Sequence, residues 1–219
     1  MRKLIGLTLC SLCASAHALE VPVSDLDAWT PLSYRSIPAN EVSIDDGALH
    51  IAVDGSASPL VHKLAMPTHV HGVTVVARWD GALTVANGAV QGEADADDFV
   101  LKLGIVESGE RKLGWLQRRM AADWVQRLFQ LAPEGAGVDR INFLSTTQTR
   151  ELLGSERVHP LSDLLHEQRV VHLDMPGRFE LTHRFDMPVE TLGLWISSDG
   201  DNTGSAFDLH IERITLHAD

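Results

Sequence analysis

The segment Asp199-Gly200-Asp201-Asn202-Thr203-Gly204 places oxygen-bearing side chains at alternate positions, with a glycine where the chain must bend. That is the opening pattern of an oxygen-ligand calcium loop. An EF-hand would require a bidentate acid at the twelfth position, which here is His210, and the flanking residues alternate as strands do rather than as helices. The remaining metal reading is a calcium site in a loop of a β protein, built from Asp199, Asp201 and Thr203 and completed by Asp97 and Asp98 if the two loops meet. The same residue types are ordinary turn formers, because Asp and Asn side chains bond to their own backbone and Gly accepts positive φ. The turn reading therefore comes first.

His69 and His71 flank Val70, and on a strand that spacing points both imidazoles to one face, a geometry that suits zinc or copper. The sequence offers them no third ligand, so a solvated strand start is preferred. Trp29, Tyr34, Trp79, Trp115 and Trp195 are the residues a sugar-binding face would use, since flat rings stack on the apolar faces of pyranoses. Trp79 and Trp195 lie in apolar strand patterns and Trp124 on an apolar helical stripe, which assigns these three to packing. Trp115 follows a glycine and precedes Leu116-Gln117-Arg118, so it is the tryptophan expected at the surface. Arg118 and Arg119, with Arg111 and Lys112 before them, form a local basic cluster that could grip a carboxylate or sulfate. Trp115 and Arg118 are accordingly the candidate ligand-binding residues, against the plainer reading of a solvated helix face. No GxSxG elbow, HExxH zinc helix, Walker loop or GxGxxG turn is present. A distant pair of acid/base carboxylates, as glycosidases use, cannot be picked out among 30 acidic residues.

The N-terminus reads as an export leader: Arg2 and Lys3, an apolar run from Leu4 to Cys13, then the small-x-small site Ala16-His17-Ala18. Cleavage after Ala18 would leave Leu19 to Asp219 as a single domain in the periplasm or secreted. Both cysteines, Cys10 and Cys13, fall in the leader and each follows a leucine. The expected mature chain thus has no disulfide, no thiolate chemistry and no lipid-anchor site. No later apolar stretch reaches the roughly 20 residues of a transmembrane helix. The net charge of -12 repels phosphate backbones and anionic lipid, which argues against nucleic acid as a partner.

These candidate residues must be positioned by strands. Glu41 to Ile44 and Ala48 to Val53 alternate around Asp45-Asp46-Gly47, which predicts a β-hairpin. Further strands are expected at Ser58 to Leu64, Gly72 to Trp79, Phe99 to Val106, Ile141 to Ser145, Val170 to Leu173, Phe179 to Phe185, Leu192 to Ser197 and Phe207 to Leu216. About ten short strands separated by turns predict an all-β fold, an antiparallel jelly-roll-like β-sandwich. One accessory α-helix is expected over Gln117 to Leu131, where Met120, Trp124, Leu128 and Leu131 recur at helical spacing before Pro133 and Gly135.

The order of several of these pieces resembles an exported bacterial family known as domain-of-unknown-function family 3047. They are Ser56-Ala57-Ser58 before an apolar strand, Trp79 closing the next long strand, Asp97-Asp98-Phe99, and Ile141-Asn142-Phe143-Leu144. The most specific is Leu192 to Ser205, where Leu194-Trp195-Ile196 runs into Asp199-Gly200-Asp201-Asn202-Thr203-Gly204-Ser205. The resemblance implies a β-sandwich and an exported location, and it assigns no activity. The sequence departs from that pattern at Ser145-Thr146-Thr147 and at Phe179, where tryptophans are expected, so no aromatic platform is carried over to those places.

The function expected from sequence is a non-catalytic ligand-binding module, with carbohydrate the favoured ligand and calcium a conceivable cofactor. The alternatives are a polysaccharide hydrolase or lyase, and an assembly component that contacts another envelope protein.

Overall fold

Alternation and turn chemistry produce the hairpin of β3 (Glu41–Asp45) and β4 (Ala48–Asp54). Asp46 and Gly47, its two loop residues, have φ of 47° and 79°. Both values are positive, as a type I′ connection requires, and the register runs Asp45↔Ala48 to Glu41↔Ala52. The computed structural model of the chain describes residues 17–160 and 162–218. Residues 1–16 of the expected leader lie outside that range, while His17 and Ala18 begin β1 (His17–Val21), which pairs with β11 (Ala206–Ala218).

The remaining strands are β2 (Thr30–Pro31), β5 (Leu60–Ala82), β6 (Lys102–Gly109), β7 (Gly137–Thr147), β8 (Glu156–Val158), β9 (Leu165–His172) and β10 (Gly177–Ser197). Hydrogen bonding joins them in the order β3-β4-β11-β5-β10-β6-β7-β9-β8, with β1 beside β11 and β2 beside β5. Four of the expected short strands are in fact two long ones. Ser58 to Leu64 and Gly72 to Trp79 merge in β5, and Phe179 to Phe185 and Leu192 to Ser197 merge in β10. These two pair from Gly177↔Trp79 to Ile196↔Leu60, with register shifts between Arg184 and Val189 and between Thr191 and Gly193. Pro67 and Pro188 fall within the unpaired residues at those shifts. Proline cannot donate to a ladder, so the bulges form where the missing N–H groups do least damage, and they bend the strands.

The bent strands divide the sheet into two facing layers. The back layer holds β3, β4, β11, the second half of β5 and the first half of β10; the front layer holds β2, the rest of β5 and β10, and β6 to β9. Inward residues from both layers fill one core, among them Leu49, Ile51, Val75, Ala77, Leu209 and Ile211 from the back and Leu103, Ile105, Leu144, Leu194 and Ile196 from the front. Burying each such aliphatic side chain contributes about 1.5–3 kcal/mol. The architecture is thus the expected β-sandwich, with two corrections. The pair β7–β9 is parallel, because the short β8 takes the edge antiparallel to β9 and the chain leaving β7 must pass around it. The expected single helix is two: α1 (Trp115–Met120) and α2 (Asp123–Gln130), separated by Ala121 and Ala122, whose ψ angles of 145° and 151° are non-helical. Trp124, Leu128, Leu131 and Phe129 pack α2 onto a second apolar cluster on the outer face of the front layer, with Val61, Val106, Ile141, Phe143 and Trp195. That contact orients α2 independently of α1. Among the described residues no helix is long and apolar enough to cross a membrane.

The outer face of the back layer carries a titratable pair. The rings of His50 and His210, opposite each other on β4 and β11, stack at 4.4 Å and 13°. His50 Nε2 lies 2.7 Å from Asp208 and His210 Nδ1 lies 3.6 Å from Asp45. Burial lowers the His210 pKa, assisted by Arg78 and His50 and opposed by Asp45 and Asp208. A folded-state value below the unfolded one means that the neutral imidazole is favoured by folding. Its stabilisation is complete above the ordinary histidine pKa of about 6.5 and is lost as pH falls through the folded value. The melting temperature should therefore fall between pH 7 and pH 5 by less in His210→Gln than in the native chain. Parallel curves would remove His210 from this account.

Candidate functional site

A cleft of about 650 Å³ opens on the outer face of the front layer, within the range of small-ligand sites. Strand alternation builds its floor. Leu194 and Ile196 of β10 point into the sandwich, so Trp195 and Ser197 point out, and Asp199 follows on the same side. In β6, Leu103 and Ile105 point in while Lys102 and Gly104 face out; in β7, Ile141 and Phe143 face out; in β9, Leu165 and Glu167 do. Trp124 of α2 meets Trp195 edge to face at 6.2 Å and 84°, and Tyr34 and Ile37 close another side. Gly104 permits this floor. A Cβ there would lie 2.5 Å from Ile141 Cγ2, 2.9 Å from Phe143 Cε1 and 3.0 Å from Trp195 Cβ.

Beside the aromatic residues the lining is charged. Lys102 Nζ lies 3.1 Å from Asp199 Oδ2, with both side chains nearly buried, and Ser197 Oγ donates to Asp199 Oδ1 at 2.6 Å. Burial works against the charge on Lys102, but the carboxylates of Asp199, Asp97 and Glu167 outweigh it and hold its pKa above the ordinary lysine value. Its ammonium also lies 4.7 Å from the centre of the Phe99 ring, a cation–π contact. Tyr34 is raised as well, first by burial and then by Asp199, so its hydroxyl stays a hydrogen-bond donor.

Arg157 of β8 ties the other acids together. It donates through Nη2 to Asp97 at 2.9 Å, through Nε to Glu167 and through Nη1 to the Gly92 carbonyl. Arg169 adds a second guanidinium 3.4 Å from Glu167. Gly92 has φ of 95°, a conformation that favours glycine, and a Cβ on it would lie 2.6 Å from the guanidinium tip of Arg169. His159 Nε2 lies 3.3 Å from the second oxygen of Asp97.

The sequence-derived candidates are distributed unevenly over this site. The Asp97–Asp98 loop and the Asp199–Thr203 loop do meet. Asp98 is fully buried and accepts hydrogen bonds from Thr203 N and Thr203 Oγ1, both at 2.7 Å, and from Asn202 N at 3.3 Å. It fastens one loop to the other. Asp97 is held by Arg157 and Asp199 by Lys102, while Asp201 lines the cleft. Among the described residues, the group of three or more acids or histidines whose ligand atoms fall within 4.8 Å of one another is Asp97, His159 and Glu167. Asp98, Asp199, Asp201 and Thr203 stand outside it, and Arg157 already places a cation against its two carboxylates. Trp115 is 79% exposed, as expected of it, but it sits on α1 with Arg118 and neither lines the cleft. Trp195 and Trp124, assigned from sequence to packing, both pack and line the cleft. His69 and His71 belong to no converging ligand group among the described residues.

Lys102, Arg157, His159 and Glu167 were not singled out from sequence. A signal existed for one of them: Lys102 is the lone charge inside the apolar run Phe99-Val100-Leu101-Lys102-Leu103-Gly104-Ile105-Val106, and a lysine embedded in such a strand needs a buried partner. A smaller cavity of about 320 Å³, lined in part by Asn142, Glu156, His166, His183 and Phe185, borders the same strands.

No protein family's sequence profile matches the chain, and no curated protein does. Solved structures similar to it include a xylan-binding module of family 15, with 12% identity, 93% of this chain and 97% of that one covered, and a TM-score of 0.40. A family 29 carbohydrate-binding module gives 8%, 93%, 89% and 0.36. The metal-free carbohydrate recognition domain of Emp46p gives 11%, 88%, 88% and 0.38. Likeness at this level carries no argument about ligand or activity.

Proposed function

We propose that this chain is an exported, non-catalytic carbohydrate-binding module whose ligand lies in the front-layer cleft. The observation that carries this reading is the pairing, in one cleft, of an aromatic floor with a wall of fixed hydrogen-bonding charges. In this reading a sugar ring stacks on the half-buried Trp124, which Trp195 and Phe143 back from beneath, and turns hydroxyls to Asp199, Asp201, Lys102 and Tyr34. Export is part of the same proposal and rests on the leader pattern of residues 1–18, as does the likeness to family 3047 on the segments given above. Arg157 bonds to both Asp97 and Glu167, which spends the nearest pair of carboxylates on a guanidinium. This supports binding over cleavage.

Calorimetric titration with a panel of soluble oligosaccharides tests the reading. Trp124 is only half-buried, so Trp124→Ala should keep its fold and weaken the ligand's affinity by about tenfold, the equivalent of about 1.4 kcal/mol. If no oligosaccharide binds, or if binding is indifferent to Trp124, the cleft is not a sugar site. Release of reducing ends from the same panel would instead support a hydrolase or lyase.

A further inference from the structure

The cleft has five carboxylates in its lining, Glu93, Asp97, Glu167, Asp199 and Asp201, against two fixed cations, Lys102 and Arg157. Both cations are already committed: Lys102 to Asp199, and Arg157 to Asp97 and Glu167. Among the described residues the lining therefore has no uncommitted lysine or arginine with which to receive a uronate or a sulfated sugar. Asp201 is in the opposite condition. It is half-buried, it faces the cleft beside Asp98 and Asp199, and among the described residues no cation forms an ion pair with it. Burial, then Asp98 and Asp199, push its carboxyl above the ordinary value, so an incoming positive charge would relieve an existing strain. The aromatic lining adds to this preference, because the faces of Trp and Tyr attract ammonium groups. The net charge of -12 steers cations towards the molecule from further out.

We propose that the cleft selects cationic sugars: oligosaccharides carrying protonated 2-amino groups, with an ammonium held at Asp201 and the rings lying along the Trp124 and Trp195 lining. This specificity rests on the carbohydrate-binding reading above, and the test separates the two. Titrations would use β-1,4-linked glucosamine oligomers, their N-acetylated counterparts, β-1,4-glucose oligomers and galacturonate oligomers of equal length, near pH 6, where the free amine is protonated. The expected result is that the glucosamine oligomer binds at least about tenfold more tightly than its acetylated counterpart, that added salt erodes the advantage, and that galacturonate does not bind. Asp201→Asn should abolish most of the advantage, weakening the glucosamine oligomer far more than the glucose oligomer, without lowering the melting temperature.

Equal binding of glucosamine and acetylated or glucose oligomers would overturn the cationic preference and leave the carbohydrate reading standing. Silence from every oligomer would overturn both. Spermine serves as a probe of charge without rings: if it binds the native chain and Asp201→Asn equally and as tightly as the glucosamine oligomer does, or if Asp201→Asn binds that oligomer as the native chain does, the attraction is diffuse and the assignment to Asp201 fails.

Discussion

Lys102→Met should destabilise the fold by about 3–5 kcal/mol, the usual consequence of removing one partner from a buried ion pair. The lysine and Asp199 side chains are 11% and 7% exposed, so water replaces the lost ammonium poorly. Burial already pushes the Asp199 carboxyl above its ordinary pKa in the intact protein, and without Lys102 it must rise further. A carboxyl with a raised folded-state pKa stabilises most below its unfolded value of about 3.9, and that contribution is lost as pH rises through the folded value. The deficit of Lys102→Met should therefore be largest at neutral pH and shrink on acidification. Urea denaturation at two pH values measures both effects. The double variant Lys102→Met/Asp199→Leu should recover more than half of the loss, since replacing a buried pair by apolar groups is often neutral. A deficit under about 1 kcal/mol at neutral pH would mean that the pair is solvated in solution.

Trp195→Ala should cost a similar amount, about 3–5 kcal/mol, for a different reason. The indole is 3% exposed and packs with Val61, Val106, Leu128, Ile141 and Phe143 between the front layer and α2. Its removal leaves a cavity and loosens the one face by which α2 is attached. Because that loss is a large share of a typical domain's 5–15 kcal/mol, Trp195→Phe is the companion variant. It should retain most of the stability yet lose part of the ligand affinity, because a smaller ring leaves the floor incomplete. If Trp195→Phe bound oligosaccharide as tightly as the native chain, Trp195 would be packing alone and the floor would belong to Trp124 and Phe143.

The parts of this molecule that were legible in its sequence are those where local chemistry and global fold agree. The hairpin over 41–54 announces itself because strict alternation brackets an Asp-Gly turn. The meeting of the Asp97–Asp98 and Asp199–Thr203 loops could be anticipated because both are acidic and each adjoins an apolar strand, the first leading into one and the second following one; the purpose of Asp98 could not, since a carboxylate anchoring two backbone N–H groups looks in sequence like any acid. The unity of β5 was hidden by the stretch Ala65-Met66-Pro67, and that of β10 by Asp186-Met187-Pro188. Proline normally ends a strand, whereas here each one occupies a bulge where its missing donor is tolerated. The break between α1 and α2 falls at Ala121-Ala122, which are good helix formers. Tertiary packing of Trp124 and Leu128 overrides propensity there.

The charged wall was the least legible part. Glu167 lies in the polar stretch His166-Glu167-Gln168-Arg169, ahead of the strand expected at Val170 to Leu173, and it lines the cleft because β9 begins earlier, at Leu165, and pairs with β7. Arg157 comes from a three-residue strand too short to leave a pattern. Trp124 and Trp195 mislead in another way, since a side chain can complete a core with one surface and line a cleft with the other.

β5 and β10 run through both layers and remain paired with each other on either side of their bulges. The front face is thus not a separate plate resting on the back one; the two are continuous along a shared backbone ladder, and neither can slide without breaking it. A ligand arriving at the cleft meets a surface whose backbone has already lost its freedom during folding. Association would then leave mainly side-chain ordering to be offset, and the free and occupied forms should superimpose closely in their main chain. Amide hydrogen exchange should reflect the same continuity, with its slowest protons along β5 and β10 in both layers and little change there when the cleft fills.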